Sequence, residues 1–191
     1  KIQIGYPRPS GKPKRNKVRL IGLEITKFRG IKHISLKPDG GNLVIWGPNG
    51  SGKSAIVDAI DFVLTGYIPR LTGEGTGGIT LGKHGPHIDH QSEPDQATVT
   101  ATFTIPGLTS PVTLKRSVKD PGALQITGAT TSELKDVLDL ASRRQHSLSR
   151  REILKYVAAE GGKRAVAVQS VLNLSDIEET RKALIRALNG A

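Results

Sequence analysis

The chain has 191 residues, of which 36% are hydrophobic, enough for one domain with a real core and too few for two. No apolar stretch approaches the roughly 20 residues that a membrane span needs, and the basic start lacks the apolar region of a secretory signal, so we exclude a membrane partner and expect a cytoplasmic or nucleoid-associated protein. The absence of cysteine excludes disulfides and thiolate zinc sites, and the formal net charge of +11 favours nucleic acid as a partner.

Residues 1–17 are predicted to form an extended basic arm. No acidic residue occurs among the first 20, whereas lysine and arginine are frequent, and Pro7, Pro9 and Pro13 disfavour regular structure. We expect the arm to contact DNA or RNA; the alternative is a solvated surface. The chain begins at Lys1 and contains no methionine, which suggests that it is part of a longer protein.

Three strands are predicted before residue 47. Residues 18–26 and 32–36 alternate apolar and polar side chains on either side of a turn at Phe28-Arg29-Gly30, which indicates a strand pair. Residues 42–46 are mostly apolar, as is typical of a short buried strand, and they follow a tight turn at residues 39–41.

Residues 47–54 read Gly-Pro-Asn-Gly-Ser-Gly-Lys-Ser and match the phosphate-binding pattern G-x-x-x-x-G-K-[ST]. Gly47, Gly50 and Gly52 can adopt backbone angles closed to other residues, so consecutive N–H groups can surround phosphates at the positive end of the next helix. Lys53 should reach the β- and γ-phosphates, and the Ser54 hydroxyl should ligate Mg²⁺. The pattern predicts a nucleoside triphosphate site; the alternative is a glycine-rich turn that matches by chance.

A helix is predicted after this loop and should end near residues 64–66, with Gly66 as its left-handed cap. Residues 66–96 are rich in Gly, His, Pro and Asp, which indicates a long loop. His84, His87 and His90 recur every three residues; a metal site is one interpretation, and a flexible or partner-contacting loop is the other.

Strands are predicted at residues 97–105, 112–118 and 124–126, and together they indicate an antiparallel sheet. From residue 130 the apolar spacing becomes helical. Three Ser/Thr–Glu pairs have capping-box spacing: Thr130 with Glu133, Ser149 with Glu152, and Ser175 with Glu178. Further helices are predicted at 162–172 and 176–188. A second basic group, which is either a nucleic-acid contact or a solvated surface, comprises Arg143, Arg144, Arg150, Arg151 and Lys155.

Three segments carry a family likeness: residues 21–30 (Ile-Gly-Leu-Glu-Ile-Thr-Lys-Phe-Arg-Gly), the loop 47–54, and residues 57–64 (Val-Asp-Ala-Ile-Asp-Phe-Val-Leu). In this order they resemble the N-terminal half of the ATPase head in the SMC, Rad50 and RecF group. The resemblance implies an α/β P-loop fold of the ABC type, with a mixed sheet, an antiparallel β subdomain and a C-terminal helical segment that leads towards a coiled coil. The implied division is a basic arm at 1–17, the lobe of the head at 18–146 and the helical segment at 147–191.

The resemblance also implies roles for individual residues. The residues expected to bind ATP are Arg29, Gly47, Pro48, Asn49, Gly50, Ser51, Gly52, Lys53, Ser54 and Ala55. Arg29 should lie near the phosphates, the alternative being an ordinary surface arginine at a strand turn. Gln145 corresponds to the family's Q-loop glutamine, which approaches Mg²⁺ and the attacking water, so Lys53 and Gln145 are the candidate catalytic residues and Ser54 and Gln145 the candidate Mg²⁺ ligands. Arg70 is placed like the arginine that follows the family's first helix.

Two motifs that the family needs for hydrolysis are absent from the sequence: an apolar run that ends in Asp-Glu, and a Ser-Gly-Gly signature. Because positioning and electrostatic stabilisation carry phosphoryl transfer, we expect this segment to bind ATP and to hydrolyse it poorly at best. The missing C-terminal ATPase lobe of the same protein is expected beyond Ala191, after a coiled coil.

The leading hypothesis is a DNA-associated ATPase in which two heads form a homodimer around two ATP molecules. Three alternatives remain open. The same head could control a nuclease or an antiviral defence effector, as in overcoming-lysogenization nucleases; the chain could be the nucleotide-binding subunit of a transporter; or it could be a noncatalytic scaffold that assembles without nucleotide.

Overall fold

The computed structural model describes residues 2–6, 17–68, 71, 81–90, 93–143, 146–147 and 185–186. Seven strands are present in these ranges: β1 (Gln3–Gly5), β2 (Arg19–Phe28), β3 (Ile31–Leu36), β4 (Val44–Trp46), β5 (Thr98–Thr104), β6 (Val112–Ser117) and β7 (Gln125–Thr127). The helices are α1 (Lys53–Thr65), α2 (Leu81–His84) and α3 (Ser132–Ser142), with a 3₁₀ turn at Ile88–His90. The chain divides into two compact units, Lys1–Arg143 and Arg144–Ala191, and all of these elements belong to the first.

Five strands form one antiparallel sheet in the order β3-β2-β5-β6-β7. The sheet has one buried apolar face, as strand β5 shows. Its residues Val99, Ala101 and Phe103 are buried on this face, while the alternating threonines lie on the other. Strand β2 lies inside the sheet, since Ile25 pairs with Ile34 on one side and with Val99 on the other. The predicted α/β fold with an antiparallel β subdomain is confirmed.

Helix α1 covers the apolar face of this sheet, where it packs across β2, β5 and β6. Ile56, Phe62 and Val63 are completely buried, and the ring of Phe62 stacks on that of Phe28 with 5.4 Å between centroids. Burial of such side chains stabilises the fold by about 1.5–3 kcal/mol each. The helix therefore fixes the end of β2 relative to its own N-terminus.

The end of α1 is set by Gly66, as the sequence predicts. Gly66 has φ 73°, and its N–H donates to the Phe62 carbonyl over 2.7 Å. A Cβ at this position would lie 2.4 Å from the Pro121 carbonyl oxygen, so no other residue fits without a shift of the backbone. The buried guanidinium of Arg116 donates to the Val63 carbonyl over 3.0 Å and satisfies another acceptor of the last turn.

Strand β1 corrects the expectation that the N-terminal arm lacks regular structure. Residues Gln3–Gly5 pair antiparallel with β4, and Gln3 lies opposite Trp46. The strand predicted at 42–46 is thus observed as Val44–Trp46, hydrogen-bonded along one side by the start of the chain. The expectation that it is buried is wrong, because Val44 is 48% and Trp46 46% exposed. Residues 7–16, which include most of the basic residues of the arm, lie outside the described part of the chain.

Helix α3 begins later than its predicted capping box. The N-cap is Thr131, in extended conformation and without a side-chain cap, so the pairing of Thr130 with Glu133 is wrong. The helix packs against α1, and its buried residues are Leu134 and Ala141. The other two capping boxes and the helices predicted at 162–172 and 176–188 lie outside the described residues.

Candidate functional site

The loop at residues 47–54 connects β4 to α1, which is the strand, loop and helix order that the sequence predicts. Its glycines have positive φ angles, 146° at Gly47, 77° at Gly50 and 94° at Gly52, in the region that other residues rarely adopt. Gly52 is the N-cap of α1, so the loop ends where the free N–H groups and the positive end of the helix dipole are found. The backbone therefore has the form of an anion site.

A cleft of about 770 Å³ opens beside this loop. Its wall includes Arg29 and residues 49–55, so most of the predicted nucleotide-binding residues share one surface. Gly47 and Pro48 take part through their carbonyl groups, which both accept hydrogen bonds from Lys53 Nζ over 2.7 Å. The lysine ammonium thus lies across its own loop, at the mouth of the anion site.

Arg29 reaches the cleft because the chain turns sharply at the end of β2. Its φ is 55°, and its backbone N–H donates to the Gly85 carbonyl over 2.7 Å. The guanidinium Nε lies 3.3 Å from Asp58 Oδ2, and a terminal nitrogen lies 3.5 Å from the His84 carbonyl oxygen. Only 21% of the arginine side chain is exposed, which distinguishes it from an ordinary surface arginine.

Asp58 is the site residue that the sequence did not reveal. It lies on α1 one turn after Ser54 and is 1% exposed, and with Asp61 it is one of two carboxylates among the mostly apolar buried side chains of this helix. A buried carboxylate is costly unless it is paired, and the contact with Arg29 supplies a cation. The sequence signal that could have revealed it is the spacing of four residues between Ser54 and Asp58. Residues at this spacing share one face of a helix, so Asp58 lies behind the loop.

Residues 84–90, here called the histidine segment, contribute to the wall of the cleft. His84, Pro86 and Ile88 line it, together with Leu71, which the sequence had not assigned to the site. The prediction of one long loop at 66–96 is wrong in this stretch, since α2 and the 3₁₀ turn lie within it.

The histidine segment is attached to the β2–β3 hairpin. The His87 N–H donates to the Lys27 carbonyl over 2.7 Å, and Phe28 forms an isolated bridge with Pro86. Two ion pairs lie alongside: Lys27 Nζ with Glu93 Oε2 at 3.0 Å, and Lys32 Nζ with Asp89 Oδ2 at 2.9 Å. Hydrogen bonds from these lysines hold the pKa of Glu93 and of Asp89 below their usual values.

The three histidines do not converge. The His87 and His90 rings are 6.0 Å apart between centroids, His90 Nδ1 lies 3.3 Å from Glu93 Oε2, and His87 Nδ1 accepts the Asp89 N–H over 3.2 Å. Within the described ranges, no group of three or more His, Asp or Glu side chains could hold a metal ion. The contacts of these residues serve to hold the histidine segment in place.

Some predicted residues lie outside the described part of the chain. These are Gln145, Arg70 and, in the second basic group, Arg144, Arg150, Arg151 and Lys155. Arg143 is described and forms an ion pair with Asp139 at 2.8 Å, one turn earlier on α3. In the described residues, no helix combines the length and the apolar character of a membrane span.

Comparison with known proteins identifies relatives of the chain. A family model described as an AAA domain matches residues 23–191. The DNA replication and repair protein RecF of Pseudoalteromonas atlantica is 29% identical over 123 residues, which are 64% of this chain and 31% of that protein. The chromosome partition protein Smc of Methanocaldococcus jannaschii is 53% identical over 47 residues, 25% of this chain and 4% of that protein.

A solved structure described as that of the recombination mediator protein RecF-ATP in the RecFOR pathway also matches. The match includes 78% of this chain and 37% of that chain, with 17% identity and a TM-score of 0.46. The chain spans less than a third of the length of the RecF relatives that it matches.

Proposed function

The chain belongs to this AAA domain family, and on that premise we propose that it is the ATP-binding lobe of a DNA-associated ATPase head, which dimerises when ATP is bound. The observation that carries the proposal is the loop at 47–54, whose positive-φ glycines and Lys53 face a cleft at the N-terminus of α1. Both the backbone conformation and the charge suit a triphosphate.

Phosphate binding would proceed by exchange of hydrogen-bond partners. Lys53 now donates to two loop carbonyls, and phosphate oxygens at the mouth of the loop would accept from the same ammonium group. The Ser51 hydroxyl is buried and has no hydrogen-bond partner among the described residues, so it is available to donate to a phosphate oxygen. Arg29 would add a second cation from the β2–β3 turn.

The residues present fit a Mg²⁺–nucleotide complex. Ser54 lies in the first turn of α1 on the cleft wall and provides the hydroxyl oxygen that Mg²⁺ accepts as a ligand beside phosphates. When bound, the ion would neutralise charge on the phosphate oxygens. We retain Gln145 as the proposed second ligand and as the residue that orients water.

Hydrolysis would require groups from outside these 191 residues. A second ATPase lobe of the same protein and a second copy of the head would supply them, which is consistent with the 31% of the RecF relative's length that the chain covers. ATP favours the dimer only if both heads contact it, so the γ-phosphate would act as the link between binding and assembly.

The proposed DNA association is supported by charge and by the relatives. The formal net charge is +11, and the relatives are named for DNA replication and repair and for chromosome partition. Basic residues that contact phosphates release counterions, which makes binding strongly dependent on salt.

The test is ATP binding by the chain and its Lys53→Ala variant, measured by titration calorimetry with Mg²⁺. We expect the variant to bind at least 10-fold more weakly, because a charge-assisted hydrogen bond contributes about 1.5–3 kcal/mol. Sedimentation with and without ATP and duplex DNA would then show whether the dimer depends on nucleotide. Equal ATP affinity of the two proteins would exclude the proposed site.

A further inference from the structure

The start of the chain reaches the loop at 47–54, here called the phosphate loop. In the pair of β1 with β4, Gln3 lies opposite Trp46, which is the last residue before this loop. Because the two strands run antiparallel, the residue that precedes Gln3 lies beside the first residues of the loop. That residue is Ile2, whose side chain is partly buried against the hydrophobic core.

Ile2 packs against the last glycine of the phosphate loop. A Cβ at Gly52 would lie 3.4 Å from Ile2 Cδ1 and 3.7 Å from Ile31 Cγ1, so the two isoleucines close around this glycine. Gly52 is the N-cap of α1 and has φ 94°, so its conformation determines where the first free N–H groups of the helix point. Ile2 is absent from the described residues that line the cleft, and it therefore supports the loop without touching a ligand there.

Residues 2–5, here called the N-terminal segment, are held in place by further contacts. Ile4 packs against the hydrophobic core. A Cβ at Gly5 would lie 2.8 Å from Trp46 Cζ3, which shows that the indole ring lies directly against the backbone of the segment. These contacts fix the position from which Ile2 reaches the loop. The segment precedes residues 23–191, which the AAA domain model matches, so membership of the family does not account for it.

A glycine-rich loop gains from such support. Gly47, Gly50 and Gly52 have no side chains to pack, and glycine loses more conformational freedom on ordering than any other residue. Order that is imposed on the loop before a ligand arrives reduces the entropy that is lost on binding, and it raises affinity for that reason.

We propose that the N-terminal segment is a positioning element of the phosphate site. Ile2 holds Gly52, and with it the N-terminal N–H groups of α1, in the conformation that binds phosphate. This inference rests on the proposed function, since it requires that the loop binds the phosphates of a nucleotide. The effect of Ile2 acts through the loop alone, so it should apply equally to a nucleotide and to an inorganic polyphosphate.

The experiment titrates ATP and inorganic tripolyphosphate, each with Mg²⁺, into the chain and its Ile2→Ala variant by calorimetry. We expect both affinities to fall by the same factor, about 5-fold, because the shortened side chain no longer reaches Gly52. Ile2→Leu has a side chain of the same reach and should keep both affinities within about twofold of the parent. The matched control is Val18→Ala, which shortens an exposed apolar residue beside the end of β2 that is farther from Arg29 and should change neither affinity.

A second variant, Ile4→Asn, tests the segment as a whole, because it places an amide against the hydrophobic core and should release the segment. Trp46 is the single tryptophan of the chain, so its fluorescence reports on this release. We expect the emission to move to longer wavelength as the indole ring loses contact with Gly5, and both affinities to fall at least as far as in Ile2→Ala. A shifted emission with unchanged affinities would overturn the proposal, and an unshifted emission would contradict the attachment on which it depends.

The outcomes distinguish this proposal from the phosphate site itself. Unchanged ATP affinity in Ile2→Ala, a loss for ATP that tripolyphosphate does not share, or an equal loss in Val18→Ala would each exclude the role of Ile2 and leave the site in place. Lys53→Ala should weaken both ligands regardless of Ile2, and its failure to do so would exclude the site. Thermal unfolding of Ile2→Ala should stay close to that of the parent, because β1 does not belong to the five-stranded sheet.

Discussion

Arg29 and Asp58 show how two residues that are 29 positions apart in sequence form one part of the site. The carboxylate is buried, and the arginine turns back towards it through a left-handed backbone conformation that costs about 1 kcal/mol or more. The contact at 3.3 Å compensates for that strain and holds the guanidinium at the rim of the cleft. Asp58 is therefore a positioning residue rather than a phosphate ligand.

A double-mutant cycle tests this pair. Asp58→Ala and Arg29→Ala should each destabilise the fold, and urea unfolding should give a coupling energy of about 1–2 kcal/mol, because breaking a buried pair leaves an uncompensated charge. The exposed pair of Lys32 and Asp89 serves as the control, with a coupling near zero, since both side chains are more than half exposed. Equal coupling energies in the two cycles would contradict a special role for Asp58.

Sequence alone predicts the phosphate loop well and the Asp58 contact poorly. The loop depends on local chemistry, since the glycines and Lys53 act through backbone angles and charges within eight residues. The ion pair depends on how α1 packs against the end of β2, which involves residues distant in the sequence. Apolar residues at a spacing of 3.6 predict the helix, but they do not predict which part of the sheet packs against it.

At the scale of elements, the histidine segment is held to the β2–β3 hairpin by contacts that include titrating carboxylates. Lys27 donates to Glu93 and to Gln96, and Lys32 pairs with Asp89. The pKa of Glu93 is lowered from an ordinary value of 4.5, and that of Asp89 from 3.8. A lowered carboxylate pKa means that the contribution to stability is complete above the ordinary value and is lost as the pH falls through the folded value.

The attachment should therefore weaken below about pH 4.5. Lys27→Gln should be less stable than the parent at pH 7 in urea unfolding, and the difference should shrink as the pH is lowered towards 3, because protonation of Glu93 removes the ion pair. Lys37→Gln, at an exposed position beyond β3, is the matched control and should show a small difference that does not vary with pH. If the stability difference between Lys27→Gln and the parent is constant from pH 7 to 3, the ion pair with Glu93 is not its cause.

Strands β5 and β6 were predictable because buried side chains alternate along them with less buried ones, over seven residues in β5 and six in β6. Strand β1 was not, because Gln3–Gly5 is too short to show a pattern and lies beside prolines and basic residues. Its existence depends on a partner strand, β4, that lies about 40 positions away. The histidine segment escaped prediction for the same reason, since its order comes from hydrogen bonds to β2.

At the scale of the whole molecule, relatives from the RecF and Smc branches and the AAA domain match confirm the resemblance to the SMC, Rad50 and RecF group. Only the proposed function connects two features of the chain, which are the candidate ATP site in the first compact unit and the net charge of +11. A test of whether the basic arm binds DNA must leave residues 3–5 in place, because they pair with the strand that leads into the phosphate loop.

Deletion of residues 1–17 would thus remove β1 together with the basic residues and would confuse two effects. The informative variant is Lys12→Gln, Lys14→Gln and Arg15→Gln combined, which leaves Gln3–Gly5 intact. If all three residues contact phosphates of duplex DNA, the slope of log affinity against log salt should become shallower by about 2.7, because each contact contributes roughly 0.9. ATP affinity should be unchanged. The control combines Lys37→Gln, Lys115→Gln and Lys119→Gln, which lowers the net charge equally; an identical change of slope in both variants would mean that total charge, rather than the arm, determines DNA binding.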